Sequence, residues 1–199
     1  FKLSHTLGVK GFLGGDYNYN VTEASIYKRF WLNSWGKLNC NLKGGVQWSQ
    51  APYPLLMMPA ANLSYIVQKG CFNLVNNMEF LNDRYASADI EWDLAGKIFN
   101  RVPLLKKLKW REVVGFKTLW GGISDKNNPF LEKNQNSALL MEFPEGCTVM
   151  DPNRPYAEFS VGIYNIFKFF RVQYVRRLNY LDLPTANRDG FRVMFEMTF

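Results

Sequence analysis

Three carboxylates at two-residue intervals, Asp89, Glu91 and Asp93 in ASADIEWDLAG, are the side chains best spaced to do chemistry in this chain. Successive side chains of an extended segment point to opposite faces, so these three share one face and Ala86, Ala88, Ile90, Trp92 and Leu94 take the other. A cluster of this kind can serve acid–base catalysis or hold a cation. It can also be the wall of a wet lumen, neutralised by Lys117, Arg171 and Arg177, which have the same parity on neighbouring runs. The second reading is favoured, because structural ion-pair networks mimic functional sites and no nucleophile assembles around the carboxylates. Ser87 and Ser160 lack the Gly-x-Ser-x-Gly turn of a hydrolase. A serine phospholipase needs a histidine beside its serine, and the only histidine, His5, falls on an apolar face. Cys40, Cys71 and Cys147 are odd in number and have no metal-ligand spacing, so neither a metal site nor a disulfide framework follows. The expectation is a protein that is not an enzyme and takes no metal or cofactor.

The elements that would position these charges are strands. In GKLNCNLKGGVQW the apolar parity holds Leu38, Cys40, Leu42, Gly44, Val46 and Trp48, against Lys37, Asn39, Asn41, Lys43 and Gln47. FKLSHTLGVKGFL repeats the pattern with Phe1, Leu3, Leu7, Val9 and Leu13. Similar runs cover residues 21–32, 110–121, 156–165, 169–178 and 191–199, whereas helical periodicity is nearly absent. The result is eight strands of about 9 to 14 residues. Soluble strands are usually about 5 to 6 residues long, and about 9 to 11 tilted residues cross a bilayer. Composition agrees: 47% of residues are apolar and 16% aromatic, yet no run reaches the roughly 18 apolar residues of a membrane helix. The net charge of +7 comes without a basic helix or an aromatic RNA-binding signature, which argues against nucleic acid as a partner.

Connection lengths give an independent test, since bacterial outer-membrane barrels have short periplasmic turns and long external loops. If the last strand runs down to the periplasm, residues 14–19, 50–84, 125–154 and 179–190 lie outside, and 33–35, 97–109 and 166–168 lie inside. The two longest connections both fall outside. Aromatic residues sit near strand ends, with Tyr27, Phe30, Trp31 and Trp35 around one inside turn, Trp48 and Tyr53 at an outside loop, and Trp110 and Trp120 at the ends of one strand. Such girdles suit the headgroup level. FRVMFEMTF then reads as a membrane strand with Phe195 near mid-bilayer and Phe199 as a terminal assembly signal at the periplasmic girdle. Phe1 already lies within an alternating run, from which an upstream part of a longer protein is expected.

TEASIYKRFW (22–31), PYPLL (52–56), NNMEFLNDRYAS (76–87), FNRVPLLKKLKWREV (99–113), SDKNNP (124–129) and the run from Pro155 to Pro184 resemble the barrel of Bacteroidetes-type outer-membrane proteins. In those proteins a carboxypeptidase-like regulatory domain precedes a domain of unknown function. The resemblance implies an outer-membrane location, a barrel, and a chain that is its C-terminal part. A weaker topological similarity is to the BamA-like and TamA-like insertases and translocases, which have sixteen strands. In that superfamily a long loop before the fifth strand from the end folds into the lumen and presents an arginine. Residues 50–84 occupy that place and end in Asn82-Asp83-Arg84-Tyr85, which makes Arg84 the inward candidate, although Tyr85 follows it without the usual intervening glycine.

Two other segments carry signals. KIFNRVPLLKKLK (97–109) mixes apolar residues with five basic ones, fit for an inner-leaflet surface, a periplasmic partner or an upstream domain, and Pro103 argues against one continuous helix. Residues 125–154, polar and aperiodic, read as a surface loop. The expected protein is an all-β, antiparallel transmembrane barrel segment of about eight strands, one domain over 1–199 and half of a larger barrel. It would lie in the outer membrane in contact with lipid and lipopolysaccharide, with other outer-membrane or periplasmic proteins as further partners. Its expected role is transport or outer-membrane assembly through a lumen with an inward-folding loop. A structural or receptor barrel and a soluble lipocalin-like barrel are the alternatives.

Overall fold

Alternating runs rich in Val, Ile, Phe and Tyr favour extended ladders, and these form in the structure, a computed structural model that describes residues 1–195. The strands are β1 (Lys2–Gly8), β2 (Tyr19–Trp31), β3 (Lys37–Gln47), β4 (Phe80–Leu81), β5 (Arg84–Asp93), β6 (Arg111–Gly122), β7 (Thr148–Val149), β8 (Tyr156–Ile166), β9 (Phe170–Arg177) and β10 (Asp189–Phe195). All but β4 and β7 form one antiparallel sheet in the order β1-β2-β3-β5-β6-β8-β9-β10. Each expected strand is present, but the first ends early. It stops at Gly8 rather than Leu13, because Gly11 and Leu13 take positive φ in a short turn over Phe12–Gly14.

Register puts the carboxylates and their basic counterparts on one face. The row Asp89, Lys117, Glu158, Arg177 runs straight across β5, β6, β8 and β9, with alternating sign at each step. The opposite face is apolar and open to the surroundings, with Leu3 62%, Trp120 54% and Phe191 64% exposed. The sheet is curled with its charges inside. Arg171 of β9 donates to Glu91 of β5 at 2.6 Å, although three strand spacings, roughly 14 Å of arc, separate their backbones. Two side chains on one face meet over that span only if the sheet bends toward the face they share. Glycine makes room for such bridges. Tyr85 donates to Glu23 at 2.9 Å across β3, where Gly45 lies between them, and a Cβ there would stand 2.7 Å from the Tyr85 ring.

The core lies between the concave face and the connections that enter it. Residues 50–84 leave β3, cross the sheet to β10, and return to β5. At the far side Val67 N–H donates to the Val193 carbonyl and Val193 N–H to that of Tyr65, at 2.7 and 2.8 Å. On the way back Phe72, Val75 and Phe80 pack with Met150, Tyr180, Leu119 and Tyr156, and β4 pairs in parallel with β7. Residues 125–154 are therefore not only a surface loop, because Met150 and Asn127 are buried. Sequence periodicity could not reveal this, since a segment that docks by isolated anchors has no period.

Candidate functional site

Each expected charge has a definite partner. Lys117 pairs with Asp89 at 3.5 Å and also donates to the Cys71 carbonyl of the inserted loop at 2.6 Å. Arg171 pairs with Glu91 at 2.6 Å and donates to Gln173 at 2.9 Å. Asp93 takes Lys37 at 3.2 Å and the Tyr164 hydroxyl at 2.7 Å. Arg177 does not serve the β5 carboxylates. It reaches Glu79 of the inserted loop at 2.6 Å, both side chains fully buried, with its guanidinium carbon 5.0 Å from the centre of the Tyr156 ring.

Four residues absent from the expected set tie the inserted loop down, Glu158 and Arg192 from the sheet and Asn73 and Glu79 from the loop itself. Glu158 is almost fully buried. Its carboxylate accepts from the Asn73 N–H, the Leu74 N–H and the Asn73 side-chain amide at 2.9–3.2 Å, and from the Tyr156 hydroxyl at 2.9 Å. Arg192 of β10 donates to the Asn73 carbonyl. Glu79 also accepts from the Asn76 N–H at 2.7 Å, which ties the loop to itself. Parity along PYAEFSVGIY places Glu158 on the face of Ser160 and Tyr164. Glu79, Asn73 and the reach of Arg192 had no such signal.

Three expectations about positions are corrected. Arg84 opens β5 on the parity opposite Tyr85, is exposed, and stands at the rim in the field of Asp125. The loop folds in, but Arg84 is not the arginine that meets it, because one residue of register decides the face. Tyr27 lies on the concave parity, where its hydroxyl donates to Asn39 at 3.0 Å, so it is not part of an outer girdle. Phe195 pairs with Phe170 at the start of β9 and stacks on Phe169 of the adjoining turn with ring centres 6.3 Å apart. It therefore sits beside the first residue of β9 rather than opposite its middle. Phe199 lies outside the described residues.

Between the loop and the lower half of the sheet is a cavity of about 160 Å³, lined by Arg29, Asn39, Asn41, Asp89, Glu91 and Lys117 among others. Its walls carry amides, the Ser160 hydroxyl and the paired Asp89, Glu91 and Lys117, a lining suited to water and polar solutes. On the connections after β6 and β9, Lys133 holds the Asp125 carboxyl below its ordinary range by a 2.9 Å hydrogen bond, and Arg154 does the same to Asp182 at 2.5 Å. Burial raises the Tyr180 hydroxyl and the Cys147 thiol.

Fold and site together define a class: an antiparallel sheet turned inside out, its charged face covered over β6, β8 and β9 by its own loop and its apolar face bare. Residues 1–133 match the C-terminal domain of a family of unknown function (DUF5686), and the chain belongs to that family. No curated protein and no solved structure matches it.

Proposed function

We propose that the chain is part of an integral outer-membrane β-barrel, whose bare face meets lipid and whose polar interior, with its inserted loop, serves transport or assembly of material at that membrane. One observation carries the reading: apolar side chains cover the exposed face while ion pairs fill the buried one. A soluble ligand-binding barrel needs the reverse parity. The absence of a membrane-crossing helix among the described residues has no bearing on a barrel. Among the described residues the outer edge of β1 has no partner strand, and unpaired backbone groups cost several kcal/mol each in hydrocarbon. A partner for that edge, as in the reading of the chain as half of a larger barrel and in the resemblance to Bacteroidetes-type proteins and, more loosely, to insertases, would satisfy those groups. A closed structural or receptor barrel is the second reading, favoured by how firmly the loop is pinned. Nitroxide labels on β8 test the membrane claim in detergent and in bilayers. A label at Phe159 should meet oxygen and be shielded from a water-soluble nickel relaxant, and one at Ser160 should not meet lipid. Equal aqueous access at both, or full solubility of the folded protein without detergent, would overturn it.

A further inference from the structure

We infer that the sheet end formed by residues 32–36, 94–110 and 167–169 is a docking collar for anionic phospholipid headgroups, an inference that rests on the membrane reading above. Antiparallel order brings these three connections to one end. Residues 97–109 contain five basic residues and no acidic one. They fold as a 3-10 turn (Phe99–Arg101) followed by α1 (Pro103–Leu108), with Pro103 at the helix start where its missing N–H costs nothing. Leu104 is 70% exposed among Ile98, Val102 and Leu108, also exposed, so apolar and cationic side chains share one surface. Amphipathic segments of this composition lie in the headgroup region, with chains inserted and cations on phosphate.

The platform is fixed rather than trailing. Glu112 accepts from the Ile98 and Phe99 N–H groups, and Asn165 near the end of β8 donates to the Lys109 carbonyl at 2.7 Å. Lys97 donates to Ser34 at 3.1 Å and lies 5.0 Å from the Trp35 ring centre, joining the β2–β3 turn to the collar. Of the nearby carboxylates, Glu112 is buried with one oxygen on those amides, and Asp93 is held by Lys37 and Tyr164. Among the described residues Arg101, Lys106, Lys107 and Lys109 have no ion-pair partner and are left to face an external anion. Continuity with the bare face comes from Phe169, which stacks on Phe195, and from Phe167, 80% exposed in the same turn. A membrane surface fits this continuity; a free phosphate would not need the apolar half, and a soluble protein partner would not need to adjoin the lipid-facing side.

The test uses the full-length protein in zwitterionic-lipid nanodiscs doped with phosphatidylglycerol or with phosphatidylcholine, with retained lipid measured after exchange at low and high salt. Enrichment of phosphatidylglycerol that falls with salt, and falls at least tenfold in the Arg101→Gln/Lys106→Gln/Lys107→Gln/Lys109→Gln variant, is expected, given about fivefold per charge removed. The folded state of that variant is checked by the nitroxide pattern at Phe159 and Ser160. Equal retention of the two lipids, an unchanged variant, equal competition by inorganic phosphate at matched concentration, or enrichment that only appears with a bound protein partner would each overturn the collar. In those cases an intact nitroxide pattern keeps the barrel reading alive. Loss of that pattern in the wild type fails the barrel reading itself.

Discussion

Arg177 shows what one side chain does here. It lies opposite Glu158 in the ladder, meets Glu79 of the loop, and donates to the Leu74 and Asn179 carbonyls. Removing one partner of a buried ion pair leaves the other charge without compensation, at about 3 to 5 kcal/mol. Arg177→Ala or Glu79→Gln should therefore lower unfolding stability in detergent by about that amount. Arg84→Ala, at an exposed rim position, should stay within about 0.5 kcal/mol. Comparable losses at Arg84 and Arg177 would contradict the geometry. The face of Asp89, Glu91, Asp93, Lys117, Arg171 and Arg177 was legible because strand parity is a local property. The partner of Arg177 was not, because Glu79 lies 98 positions away in a segment without period. Arg84 was misread for a related reason: an analogy of place in the chain cannot say on which side of the strand the residue emerges.

At the scale of elements, the strands were readable almost to their ends and the connections were not. Alternation reports burial on two faces, whereas the β4–β7 pairing and the Tyr65–Val67 contact with β10 depend on tertiary encounters. The two faces make opposite predictions. Phe116, mid-strand on the bare side of β6, should tolerate arginine poorly, at about 2 to 4 kcal/mol if it lies near the bilayer midplane. Asn41→Arg, opposite Asp89 beside the polar cavity, should cost distinctly less; equal costs in a bilayer unfolding assay would refute the assignment of faces. The connections after β6 and β9 should respond to acid late. Asp125 and Asp182 are depressed by Lys133 and Arg154. Their contributions are present above the unfolded carboxyl value, about 3.9, and vanish only as pH falls through the lower folded value. Carboxyl carbon shifts in NMR should thus show both still ionised at pH 5, and titration of either between pH 5 and 7 would contradict the pairing.

For the whole molecule, the question is whether the loop is a wall or a door. Glu158, Arg177, Lys117 and Arg192 all hold it from the sheet, and the Tyr65–Val67 segment pairs with the β10 edge. If material passes through the lumen, those contacts must yield, and weakening them should raise the open fraction without any change in the barrel wall. Glu158→Gln removes the charge that receives two backbone N–H groups. Hydrogen bonds to charged groups contribute about 1.5 to 3 kcal/mol, so conducting events of the full-length protein in planar bilayers should become about tenfold more frequent or more. The converse variant locks the door. Ile66 and Val193 are bridged partners, so Ile66→Cys/Val193→Cys, in a background with Cys40, Cys71 and Cys147 replaced by serine, should conduct only after reduction. Conductance that ignores both the charge removal and the disulfide would mean that the loop is a permanent wall. The closed receptor barrel would then be the better reading, since a lumen that never clears leaves the external connections as the surface through which the protein can act.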